Sequence, residues 1–128
     1  MRVISVSLPE DTVDELDRRA DQDGYSGRSE LVRAALGPFL DQARGEEARE
    51  GPATATLVLA YDEEISDLVN RRRHDHAEPI TTMVHGHTDD HRCLEVLVLE
   101  GGSDEIRSLA NDLRGRPGMN QVELTWLD

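Results

Sequence analysis

After residue 53 the chain consists of successive segments with two kinds of apolar spacing. In some segments every second residue is apolar, as in a strand, and in the others the apolar residues recur every three to four positions, as in a helix. Strand periods cover residues 54–61, 79–87, 92–99 and 119–127, and helix periods cover 63–73 and 103–114. The resulting order, β-α-β-β-α-β, is that of the ferredoxin-like split βαβ motif. The sequence therefore predicts an α+β domain over residues 54–128.

The first 43 residues follow a different pattern, one short strand and then two helices. Residues 3–7 alternate in the strand period, with Ile4 and Val6 on one face and Val3, Ser5 and Ser7 on the other. We therefore expect a single strand with one buried face.

Two helical stripes follow this strand. The first runs from Pro9 to the stop signal Asp23-Gly24, and the second begins near Ser29, which is well placed as an N-cap. Gly37-Pro38 interrupts the second stripe, and we expect a kink or an early end there because proline lacks an amide N–H. Residues 44–53 contain several helix breakers, so we interpret them as a linker between a domain over 1–43 and a domain over 54–128.

The charge of the chain bears on its partners and its source. The formal net charge is -13, and all 14 basic residues are arginines. An acidic protein normally repels DNA, but this composition resembles that of proteins from salt-accumulating cells. At about 1 M salt the screening length falls to roughly 3 Å, so an acidic surface there opposes DNA binding much less.

Several classes of protein are not indicated by the sequence. It has no apolar run near the roughly 20 residues of a membrane helix and no secretory leader, so we expect a cytoplasmic protein. It also lacks a glycine-rich phosphate loop and a serine nucleophile motif, so we do not expect an enzyme.

A lone strand has edges that it cannot satisfy, so residues 1–43 should be stable only as a dimer. Two such strands form an antiparallel ribbon that fits the DNA major groove, where Val3, Ser5 and Ser7 would meet base edges. The start of the second helix, at Arg28 and Ser29, could hold a phosphate. A dimerisation module without nucleic acid is the alternative.

Residues 1–43 resemble the ribbon-helix-helix repressors. The likeness lies in the strand, in the turn Gly24-Tyr25 and in Arg28-Ser29-Glu30 at the start of the second helix. The resemblance implies that Val3, Ser5, Ser7, Arg28 and Ser29 form the DNA-binding surface. Val3 stands where that family usually has a basic or polar base reader, so no operator sequence can be transferred.

All five histidines and the only cysteine lie between residues 74 and 93. His85 and His87 share one face of a strand, and a short turn would bring Cys93 beside them. His74 would have to reach the same ion from elsewhere or from another subunit. Three imidazoles and one thiolate suit Zn²⁺, Cu²⁺ or Ni²⁺, with a planar site favouring Ni²⁺ or Cu²⁺ and a tetrahedral site favouring Zn²⁺.

The spacing His74-x10-His85-x-His87-x5-Cys93, followed by Leu94-Glu95-Val96, is similar to the ligand pattern of the nickel-responsive ribbon-helix-helix regulators (NikR). The resemblance implies an ACT fold for residues 54–128 and a homotetramer built as a dimer of dimers. It also implies one planar Ni²⁺ site per subunit, with His74 contributed by a partner subunit. The segment before His74 is about three residues shorter than that family leads us to expect.

This resemblance implies a repressor of nickel-uptake genes that binds double-stranded operator DNA when it is loaded with metal. We expect Ni²⁺ to order residues 62–74 and so favour an arrangement of the DNA-binding dimers that fits two half-sites. The alternatives are a regulator that responds to Cu, Co or Zn, and a metal-binding oligomer without sequence-specific DNA binding. His76 and His91 fit no ligand position, and we interpret them as solvated loop residues rather than a weaker second metal site.

Overall fold

A computed structural model describes residues 1–127 of the chain and divides it into two compact units, one over Met1–Ala48 and the other from Arg49 onward. None of the helices in these residues is long and apolar enough to cross a bilayer.

The first unit contains two helices, α1 (Glu10–Asp23) and α2 (Arg28–Ala48). Acidic residues in the first turn of α1 complement its helix dipole, and Gly24 ends the helix in a left-handed conformation with φ of 81°. The strand predicted over residues 3–7 is not formed in the single chain, where these residues lie outside any regular element. A strand needs a second backbone to receive its hydrogen bonds, so the expected pairing of this strand with another copy stays a prediction.

Helix α2 passes through Pro38 and continues to Ala48. Of the two outcomes expected at Gly37-Pro38, the early end is wrong and the kink stays a prediction. Gly37 has no Cβ to collide with the proline ring, and Pro38 is exposed, which leaves the interrupted turn open to water. As a result, residues 44–48 of the segment interpreted as a linker are helical. The helix also begins one residue before Ser29, so Ser29 lies in its first turn and is not the N-cap.

The second unit has the predicted order of strands and helices. It consists of β1 (Pro52–Asp62), a 3-10 turn (Glu63–Ile65), α3 (Ser66–Asp75), β2 (Ile80–His87), β3 (Arg92–Gly102), α4 (Ser103–Leu113) and β4 (Met119–Leu127). The four strands form one antiparallel sheet in the order β2-β3-β1-β4. The predicted α+β fold class is confirmed for this unit.

The core of the second unit lies on one face of the sheet. Alternate residues of β1 and β3 point to this face and pack against the apolar stripe of α4 and against Val69 of α3. The side chains at its centre are fully buried: Leu57, Leu59, Leu97, Leu99, Ile106, Leu109 and Leu113. Strand β2 lies at the sheet edge, and most of its residues remain exposed.

Candidate metal centre

The hairpin formed by β2 and β3 positions three of the four predicted metal ligands. In its register His87 lies opposite Cys93, and His85 lies opposite Glu95. All four side chains point to the same face, because residues two apart on a strand share a face and directly paired residues do as well. The turn closes with a hydrogen bond of 2.8 Å from Thr88 N to Arg92 O.

The hairpin brings the donor atoms of His85, His87 and Cys93 within 4.8 Å of one another. Cys93 Sγ lies 3.7 Å from His87 Nδ1, and the two imidazole rings meet edge to face at 4.9 Å between centroids. Two imidazoles and a thiol are donors suited to Ni²⁺, Cu²⁺ and Zn²⁺, so these residues fit a transition metal of that group.

Glu95 supports this group of donors from within the fold. Its side chain is fully buried, and Oε1 lies 2.9 Å from His85 Nδ1. When Nδ1–H donates to a carboxylate, the neutral ring keeps Nε2 available for a metal ion, which is how metal-binding histidines are usually oriented. Glu95 can therefore set the tautomer of His85.

Two further side chains hold the Glu95 carboxylate. Tyr61 donates its hydroxyl hydrogen to Oε1 at 2.6 Å, and Arg73 Nε lies 3.1 Å from Oε2. Burial, and after it the hydrogen bond to Glu95, raises the pKa of Tyr61 well above its ordinary value, so the phenol remains a donor. The contact with Arg73 is an ion pair without hydrogen-bond geometry, because Oε2 and Arg73 Nε have no hydrogen-bond partner among the described residues, so Oε2 is compensated in charge alone.

None of these three supporting residues was assigned to the metal centre from the sequence. A signal existed for Glu95, because it is a charged residue two positions after Cys93 in an otherwise apolar strand, and the strand period places it on the ligand face. Tyr61 and Arg73 had no comparable signal, since both approach Glu95 from other elements of the fold.

The buried thiol of Cys93 has a polar neighbour at the start of α3. Ser66 Oγ lies 3.7 Å from Cys93 Sγ. Cys93 is itself fully buried and forms no disulfide. Helix α3 therefore begins beside the thiol.

His74 does not join the three converging donors among the described residues. It lies in the last turn of α3, and its side chain is exposed. The predicted role of His74 as a ligand from another subunit therefore stays a prediction.

The remaining two histidines have different surroundings. His91 is 87% exposed, with Nδ1 3.5 Å from a Glu63 oxygen. His76 caps the end of α3 and is only 26% exposed, with Nε2 3.1 Å from Asp112 Oδ2. His76 lies in the turn after α3, as expected of a loop residue, but it is only partly solvated because α4 supplies a carboxylate partner for it.

The residues predicted to contact DNA lie in the first unit and are exposed: Val3, Ser5, Ser7, Arg28 and Ser29. The Arg28 guanidinium makes a two-point ion pair with Asp17 of α1, through contacts of 2.7 and 2.8 Å. This hydrogen bonding lowers the pKa of Asp17. Arg28 therefore joins α1 to α2, and a phosphate would have to share or displace its carboxylate partner.

Comparisons with known proteins agree with this division of the chain. Residues 2–43 match the family described as "Ribbon-helix-helix protein, copG family", and residues 54–127 match the family described as "NikR C terminal nickel binding domain".

Similar proteins occur in several archaea. A protein of Methanococcus maripaludis is 31% identical over 125 residues, covering 95% of this chain and 89% of its own length. One from Halobacterium salinarum is 37% identical over 119 residues, covering 89% of this chain and 82% of its own. Each is provisionally named a nickel-responsive regulator. An uncharacterized Thermotoga maritima protein of solved structure is 21% identical and covers 61% of this chain and all of its own, with a TM-score of 0.57, and it shares the fold.

Proposed function

This chain belongs to the family of nickel-responsive ribbon-helix-helix regulators, and from that premise we propose that it is a transcriptional repressor that binds operator DNA when loaded with Ni²⁺. The observation that carries this proposal is the convergence of His85, His87 and Cys93 on one face of the hairpin. The genes that we expect it to repress are those for nickel uptake.

The fourth donor in this proposal is His74 of another copy of the chain, giving one metal ion per subunit. His74 is exposed and lies outside its own cluster of donors, so it is free to approach a neighbouring hairpin. When bound, Ni²⁺ would supply a charge that stabilises the thiolate and a link between two subunits. The donor types alone would also accept Cu²⁺, Co²⁺ or Zn²⁺.

The outer face of the sheet supports assembly into a dimer of dimers. Val58, Val96 and Val84 form a row across three strands on the face opposite the helices. Val84 is 64% exposed and Val96 is 42% exposed, and Leu94 beside them is also exposed. Such a contiguous apolar patch indicates a surface that another protein copy covers.

The N-terminal residues support pairing through a ribbon. Ile4 and Val6, the face predicted to be buried, are 73% and 70% exposed in the single chain. Phe39 of α2 is 66% exposed. A second copy would bury these side chains and complete the hydrogen bonds of the strand. Val3, Ser5 and Ser7 would then face the major groove, with Arg28 and Ser29 near the phosphates.

The proposed regulation couples the metal centre to DNA through residues 62–74. This segment includes Glu63, whose carboxylate lies 3.3 Å from His87 Nδ1, and Ser66, which contacts Cys93. A change in the positions of the ligands His87 and Cys93 would therefore also move the residues at the start of α3. Metal favours the DNA-binding arrangement only if it binds that arrangement more tightly than the others.

The test is a comparison of DNA affinity between metal forms. Selection from random duplexes by the Ni²⁺-loaded protein would identify an operator, and fluorescence anisotropy would then compare metal-free, Ni²⁺, Cu²⁺ and Zn²⁺ forms at about 1 M salt, where surface charge is strongly screened. We expect Ni²⁺ to tighten binding at least tenfold, about 1.4 kcal/mol. Equal affinity in all four forms would contradict regulation by metal. Failure to select any duplex would instead favour a metal-binding oligomer.

A further inference from the structure

Arg73 occupies an unusual position for an arginine of α3. Its side chain is only 16% exposed, and Nε lies 3.1 Å from Oε2 of the fully buried Glu95. By contrast, Arg71 on the same helix is exposed. A buried ion pair is costly to desolvate, so it adds less to stability than its attraction suggests and can instead select one arrangement of the elements that it joins.

The Glu95 carboxylate divides its two oxygens between different parts of the site. Oε1 receives the hydrogen bond of Tyr61 and lies 2.9 Å from His85 Nδ1, whereas Oε2 faces Arg73. One carboxylate makes both contacts, so a rotation of Glu95 that follows Arg73 also moves the oxygen that faces His85. The contact with Arg73 acts through charge, because Oε2 and Arg73 Nε have no hydrogen-bond partner among the described residues. Helix α3 is thereby linked to a ligand of its own hairpin.

The residue after Arg73 is His74, the predicted ligand for a neighbouring subunit. Consecutive residues of an α-helix, with 3.6 residues per turn, are separated by about 100° around the axis. A helix that is held with Arg73 inward therefore presents His74 to a different side, and His74 is exposed as this requires.

From these contacts we propose that Arg73 is a positioning residue for the metal centre. Within one subunit, Arg73 connects His85, a ligand of the subunit's own site, to His74, the ligand that the subunit donates to its neighbour. This inference rests on the proposed function, in which His74 acts in a second subunit. Metal bound at one hairpin fixes the orientation of His85, and through Glu95 it fixes the position of Arg73. Helix α3 then places His74 where it can bind the metal ion of the neighbouring subunit. Coupling between sites is reciprocal, so Ni²⁺ uptake by the assembled protein is cooperative.

The experiment is a Ni²⁺ titration of the full-length protein against a competing chelator, followed by the absorption band of the nickel thiolate. We expect a Hill coefficient above 1 for the natural protein. Arg73→Gln should lower it to about 1 and raise the half-saturating free Ni²⁺ by about fivefold or more, the usual size of such coupling. Arg73→Lys, which keeps a cation for Glu95, should restore much of the cooperativity. Arg71→Gln, with the same change of charge on the exposed side of α3, should behave like the natural protein.

A second variant keeps the test decisive if Arg73→Gln is poorly folded. Combining Arg73→Gln with Glu95→Gln leaves no unpaired buried charge and keeps an acceptor for His85 Nδ1–H. It should bind Ni²⁺ with a thiolate band and a Hill coefficient of about 1. A merely structural Arg73 would change thermal stability and leave the Hill coefficient as it was.

The outcomes separate this inference from the proposed function. If the natural protein takes up Ni²⁺ with the thiolate band but is not cooperative, or if the double variant is equally cooperative, the role of Arg73 is refuted and the proposed function stands. If the natural protein takes up no Ni²⁺, both are refuted.

Discussion

Glu95 Oε1 lies 2.9 Å from His85 Nδ1, so a fully buried carboxylate holds one of the histidines on which the proposed metal centre depends. The contact crosses a register pair of the hairpin, which means that the backbone ladder itself brings the two side chains together. Support of this kind is what makes a surface histidine an oriented ligand.

Replacing Glu95 should weaken metal binding without removing any ligand. Glu95→Ala takes away the acceptor for His85 Nδ1–H and leaves Arg73 without its anion, so we expect a loss of about 10- to 100-fold in Ni²⁺ affinity. Glu95→Gln keeps an acceptor and should lose less. Chelator competition measures both, and equal affinity in Glu95→Ala and the natural protein would show that the contact has no role.

Cys93 should determine the spectrum of the loaded protein. Cys93→Ser should abolish the nickel thiolate absorption band, because the sole thiol of the chain is lost. His91→Ala is the matched control, since His91 is 87% exposed and lies outside the converging donors. Absorption spectroscopy with one equivalent of Ni²⁺ per chain checks this, and a band that survives in Cys93→Ser would exclude thiolate ligation.

His74 should connect metal binding to assembly. We expect His74→Ala to retain His85, His87 and Cys93 as donors but to bind Ni²⁺ at least tenfold more weakly, about 1.4 kcal/mol. Its oligomers should no longer become more stable on addition of metal. Light scattering during dilution, with and without Ni²⁺, measures this. A variant whose assembly still responds to metal like the natural protein would remove His74 from the site.

Asp112 should make stability sensitive to acid. A hydrogen bond from Arg116 is the largest cause, and one from His76 a smaller one, of a pKa for Asp112 below its ordinary value of 3.8. A lowered pKa means that the ionised carboxylate stabilises the fold above about pH 4, and this contribution is lost as the pH falls through the pKa of the folded state.

Asp112→Asn should therefore lower the free energy of unfolding at pH 7 by on the order of 1 kcal/mol and show a smaller decline towards pH 3. Asp104→Asn on the same helix is the control, since Asp104 is 88% exposed and its ion pair should contribute little. Denaturant unfolding of metal-free protein measures both variants. Parallel pH profiles for Asp112→Asn and the natural protein would disprove the assignment.

The outward side chains of the N-terminal ribbon should control DNA recognition. Ser5→Ala removes one hydroxyl that we place against base edges, so operator affinity should fall by about 1 kcal/mol while non-specific binding stays nearly constant. Ser108→Ala, an exposed position on α4, is the control. Anisotropy with the selected operator and with a random duplex checks this. An equal loss on both duplexes would mean that Ser5 does not contribute to sequence recognition.

Much of the candidate site follows from local rules in the sequence. The strand period puts His85 and His87 on one face, and a five-residue connection to Cys93 makes a hairpin the natural geometry. The same periodicity predicted the four strands and two helices of the second unit, because each period reflects which residues of one element face the core. Local pattern did not decide between a kink and an early end at Pro38, where the preceding glycine and exposure to solvent let the helix continue.

The sequence by itself determined the order of elements and the three donors of one hairpin, since both depend on residues close together in the chain. Only the tertiary structure decided that Tyr61 and Arg73 meet at Glu95 and that His76 pairs with Asp112. These partners come from different elements of the fold. Periodicity in the sequence predicts which face of its own element a residue occupies, but it does not predict which residue of another element packs against it. Packing of helices on the sheet makes that choice, because burying a charge is tolerable only where another element brings a partner for it.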